Sequence, residues 1–76
     1  MNKVRRKSLQ EIIDRLEDIR EDLELLKEEE EEYRDNMPEN LQASERYEKA
    51  EEACSYLDDA VDNLEGVIGS IEEAVG

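Results

Sequence analysis

Tyr33, Arg34, Asn36, Asn40, Gln42, Ser44, Arg46 and Tyr47 fall within fifteen consecutive positions around the only proline, Pro38. Arginine guanidinium groups hold phosphate or carboxylate oxygens bidentately, and tyrosines offer stacking faces. Amides and hydroxyls read polar edges. A set of this kind could hold a small phosphate-bearing ligand, with Arg5 and Arg6 from a neighbouring subunit as further donors. The same residues could also do no more than cap a turn and close its core. No catalytic constellation accompanies them. There is no histidine, no glycine-rich phosphate loop and no nucleophile beside an evident base. No enzymatic activity, cofactor or metal is expected; Glu30, the one acidic residue on the first apolar ladder, is the only carboxylate in a position worth weighing for one.

Two long periodic segments must position this cluster. In the first, Leu9, Ile12, Leu16, Ile19, Leu23, Leu26, Tyr33 and Met37 follow alternating steps of three and four, broken only at Glu30. In the second, Ala43, Tyr47, Ala50, Cys54, Leu57, Val61, Leu64, Ile68, Ile71 and Val75 continue in the same steps without a break. Sustained 3-4 spacing is the pattern of a coiled-coil seam. Pro38 disfavours helical geometry at Met37 and lacks an amide donor, so the first helix should end near Asn36. The expected fold is all-α: an antiparallel two-helix hairpin of coiled-coil type, assembling into a helical-bundle oligomer. Residues 1–7 read as a basic arm. Helix one would cover about 8–36, with Ser8 and Glu11 forming a capping box. The turn would cover 37–43. Helix two would cover 44–75, capped by Asn40 or Ser44. An extended rod kinked at Pro38 is the rival arrangement.

A second column, Ala53, Ala60, Val67 and Ala74, runs beside the second seam and widens its apolar face. It is the expected oligomer interface. Gly66 and Gly69 would mark either close approach there or a soft C-terminal end. Beside the seams, Arg20, Lys27 and Arg34 on helix one should face Glu51, Asp58, Glu65 and Glu72 on helix two.

The chain has 76 residues, of which 45% are charged, and a net charge of −14. So short a chain buries little apolar surface, which favours assembly. With one cysteine, no intramolecular disulfide can form, and Cys54 reads as a small apolar seam residue. The acidity repels nucleic acid and anionic membranes and favours basic protein partners. The basic start is followed by charged helix rather than an apolar stretch, so no signal peptide or membrane span is expected, and a cytoplasmic setting follows.

The segment Tyr33 to Glu52, with Asn-Met-Pro-Glu-Asn-Leu-Gln followed by Ser, Arg and Tyr, resembles short acidic helical proteins of Gram-positive bacteria and their phages. The resemblance covers about a quarter of the chain and implies a phage or prophage setting, with no characterised activity. Small proteins of that setting suggest two expectations. One is an oligomer that sequesters a nucleotide-like signal in anti-defence. The other is an acidic interaction module, or DNA mimic, that occupies a basic groove of a host protein. A purely structural coiled-coil assembly is a third.

Overall fold

A computed structural model describes all 76 residues. The chain forms two helices and no strand: α1 over Lys3–Asp35 and α2 over Glu45–Val75, joined through a single 3-10 turn at Glu39–Leu41. The helices pack against each other as a hairpin measuring 60 × 15 × 12 Å.

Each boundary has a local cause. Asn2 caps α1, its Oδ1 accepting the Arg5 amide at 2.7 Å. Residues 3–7 are therefore the first turns of α1 and not a separate arm, and Ser8 lies inside the helix. The capping box at Ser8 loses to an asparagine cap that lets the helix add more than a turn. At the far end the Asn36 amide donates to the Glu32 carbonyl, and Pro38 follows in extended geometry that cannot continue the helix. The 3-10 turn closes on the Pro38 carbonyl, which accepts the Leu41 amide at 2.8 Å. Ser44, not Asn40, caps α2: its Oγ accepts the Tyr47 amide at 3.3 Å, and its hydroxyl donates to the Leu41 carbonyl.

Ile13, Met37, Ala50, Cys54, Val61 and Ile68 are the buried residues. On α2 these belong to the ladder read from the sequence. On α1 the seam is rotated away from it. Ile13 is 2% exposed, whereas Ile19, Leu26 and Tyr33 are 48%, 53% and 49% exposed. The column that faces α2 beside Leu9, Leu16 and Leu23 is Ile13, Arg20, Lys27 and Arg34, whose charged members are half-buried. Long basic side chains can lay their methylene stems along a seam and keep the charge wet. Turning α1 this way also brings Lys27 Nζ to 3.1 Å from Asp58 Oδ1. The ladder residues Ile12, Ile19, Leu26 and Tyr33 are left along one edge of the hairpin.

Candidate functional site

The cluster at the turn end is divided by the helix it sits on. Successive residues on a helix rotate by about 100°, so Tyr33 and Arg34 lie on opposite sides of the seam. Tyr33 lines an open groove of about 410 Å3 together with Arg46, Lys49, Ala50, Glu30 and Glu45. Arg34 lines a groove on the other side with Glu31, Glu51, Cys54, Ser55 and Asp58. Its Nε donates to Asp35 Oδ1 at 2.9 Å, and that bond raises the guanidinium pKa above its ordinary value.

The remaining members have structural positions. Asn36 caps α1, Asn40 and Gln42 are exposed in the connecting turn, Ser44 caps α2, and Tyr47 is half-buried on the α2 seam. Arg5 and Arg6 occupy the first turn of α1, roughly 40 Å along the helix from Tyr33 at 1.5 Å per residue. Of the ten residues, only Tyr33 and Arg46 meet at one groove.

Lys49 and Glu45 complete that groove. Lys49 stands one turn after Arg46, the i, i+3 relation that puts both cations on one side of α2, so its membership could have been read from spacing alone. It is not a free cation: Lys49 Nζ lies 3.3 Å from Glu45 Oε1. Two carboxylates and two cations leave the groove without a net positive field, and it is open to solvent. No group of three or more acidic or cysteine side chains is placed to hold a metal ion. Cys54 is buried on the seam, and loss of solvent pushes its thiol pKa up, opposite to what a reactive thiolate requires.

The larger chemical feature is a division of α2 into two sides. All ten of its carboxylates fall in three neighbouring columns, those of Glu51, Asp58, Glu65 and Glu72, of Glu48 and Asp62, and of Glu45, Glu52, Asp59 and Glu73. The two columns on the other side, Arg46, Ala53, Ala60, Val67, Ala74 and Lys49, Tyr56, Asn63, Ser70, contain none. Ala53 and Ala60 are half-buried, while Val67 and Ala74 are exposed.

No family model matches the chain, and neither a curated protein nor a solved structure matches it. No helix is long and apolar enough to cross a membrane.

Proposed function

We propose that the chain is a non-enzymatic, acidic interaction module, whose carboxylate-bearing side occupies a basic groove on a partner protein. The carrying observation is the one-sided placement of the α2 carboxylates. Glu48, Glu52, Asp59 and Asp62 are all exposed, and none of them takes part in an ion pair within the hairpin. A net charge of −14 over 60 Å is about one charge per 4 Å, less dense than duplex DNA at one per roughly 1.7 Å but of the same sign along the whole rod. A helical rod of uniform negative sign suits a basic groove, and the phage or prophage setting that the resemblance implies gives such mimicry a use inside a host cell. Assembly of hairpins into a bundle belongs to the same reading.

The test neutralises those four carboxylates together, as Glu48→Gln, Glu52→Gln, Asp59→Asn and Asp62→Asn. Capture of basic host proteins at low salt should be lost while the helical signal stays. Capture that survives neutralisation refutes the reading.

A second reading, sequestration of a nucleotide-like ligand, is favoured by the meeting of Tyr33 and Arg46 at one groove. Glu30 and Glu45 in the same groove oppose an anion there. The acidic side therefore carries the first reading ahead of it.

A further inference from the structure

The function proposed above leaves free the side of the hairpin turned away from the α2 carboxylates, and that side holds much of the exposed apolar surface. Ile12, Ile19, Leu26 and Tyr33 of α1 run along it, and the Ala53, Ala60, Val67 and Ala74 column of α2 runs beside them. The groove at the turn end, which Tyr33 and Arg46 share, fixes both columns on one side. Ile19, Leu26, Tyr33 and Val67 are each about half exposed.

We propose that this face is covered by a second copy of the same chain, packed two-fold symmetrically with its long axis reversed. Charge points to that occupant. Two chains of net charge −14 repel wherever carboxylates meet, and beyond Glu45, which lines the turn-end groove and pairs with Lys49, α2 places none on this side. A basic partner, by contrast, is drawn to the other side. The two columns also share one centre. In the register set by the Lys27–Asp58 contact, Ile12 lies level with Glu73 and Tyr33 with Glu52, so the α1 column spans the same length as Ala53 to Ala74. A two-fold axis through that centre sets Ile19 against the partner's Leu26 and Ala60 against the partner's Val67. It also brings Arg15 toward the partner's Glu29, while Asp22 meets the partner's Asp22 at the margin.

Such self-complementarity is what a closed two-fold interface requires. The paired columns run about 32 Å at 1.5 Å per residue and, across the 15 Å width, present roughly 480 Å2, below the roughly 800 Å2 per partner of a standard interface, which makes the expected dimer a weak one. Small side chains on α2 let the second hairpin approach closely, and the bulky ones on α1 supply the area.

Two adjacent leucines separate this proposal from a general effect of exposed apolar surface. Leu25 and Leu26 are 55% and 53% exposed, but Leu25 points about 100° away from the face. Sedimentation equilibrium of the full chain should give twice the 8.9 kDa chain mass, with dimerisation strengthening as salt rises because salt screens the repulsion. Leu26→Lys should weaken dimerisation on the order of 100-fold, since the symmetry places the new charge in the interface twice. Leu25→Lys should leave it unchanged. Val67→Lys serves as a second variant on the other helix should Leu26→Lys lose its helical signal. A chain that stays monomeric at millimolar concentration and high salt overturns the proposal. So does equal behaviour of the two leucine variants, or dimerisation of Val67→Lys like that of the unaltered chain.

Discussion

Lys27 and Asp58 meet across the hairpin, Nζ to Oδ1 at 3.1 Å, in the one ion pair that joins α1 to α2. The contact does more than pair two charges. It goes with the side of α1 that turns inward: Ile13 lies in the seam, and Ile19 and Leu26 lie at the edge. Glu31 lies 3.9 Å from the same ammonium, so Lys27 is held by carboxylates on both helices. The bond to Asp58 is the main cause of its raised pKa.

Reversing one charge should disturb that rotation, and reversing both should restore it. Lys27→Glu sets like charges against each other and lowers the thermal midpoint; Lys27→Glu with Asp58→Lys recovers most of the loss. A double-mutant cycle read by thermal unfolding checks the coupling. Strict additivity of the two single effects would show that the pair does not hold the register.

The two isoleucines offer a sharper comparison. At concentrations where the chain is monomeric, Ile13→Ala should cost about 2–4 kcal/mol, the usual range for emptying a buried aliphatic site. That is comparable with the roughly 3–5 kcal/mol a core of this size supplies, so the variant should keep only a marginal stability at room temperature. Ile19→Ala, half exposed, should cost well under about 1 kcal/mol in the monomer. Urea titration of both variants ranks them; the opposite order would mean that α1 packs by its other column.

That ranking also marks where sequence reading and structure part. The α2 seam was legible because a single column pair, through Cys54 and Leu57, carries its apolar residues in unbroken spacing. On α1 two columns flank Leu9, Leu16 and Leu23. One is aliphatic (Ile12, Ile19, Leu26), and the other is mostly basic (Ile13, Arg20, Lys27, Arg34). Spacing favours the aliphatic one. Spacing did set the basic column opposite the acidic one, and Lys27 meets Asp58 as expected; what it did not show is that the basic stems themselves lie on the seam. The turn was legible from Pro38, which stops α1 physically. The start of α1 was not, because the capping box at Ser8 is the more complete motif and Asn2 caps with a single side chain. At the candidate site, Arg34 was grouped with Tyr33 by proximity in sequence, although one residue of helical rotation sends them to opposite sides.

Stability should fall as pH rises past the ordinary thiol range. Burial holds the Cys54 thiol pKa above its unfolded value, so between the two values the unfolded chain has released the proton and the folded chain has not. The unfolded state is favoured progressively across that window. Lys27 acts in the same direction at still higher pH: its raised folded pKa contributes stability below the ordinary lysine value, which is lost as pH rises through the folded value. Thermal midpoints from about pH 7 to 11 should therefore decline. Cys54→Ala should flatten the lower part of that decline; an unchanged slope would remove the thiol from the account.

Gly66 lies on the carboxylate-bearing side of α2, and a Cβ built there would meet nothing within 4 Å. Gly66→Ala should thus stabilise α2 by about 0.5–1 kcal/mol through helix propensity and unfolded-state entropy. A raised thermal midpoint is the expected result. A lowered one would identify close approach of another chain on that side.

If the exposed carboxylates of α2 meet a basic groove, the chain should compete with DNA for it: basic DNA-binding proteins of the host, held on labelled duplex DNA, are titrated with the chain. Displacement should be strong at low salt, weaken as salt rises, and fail with the Glu48, Glu52, Asp59 and Asp62 neutralised variant. If no such protein leaves DNA, while cyclic nucleotides or ADP-ribose derivatives raise the thermal midpoint in a manner that Arg46→Ala abolishes, the groove at Tyr33 is the working site and the α2 carboxylates are not.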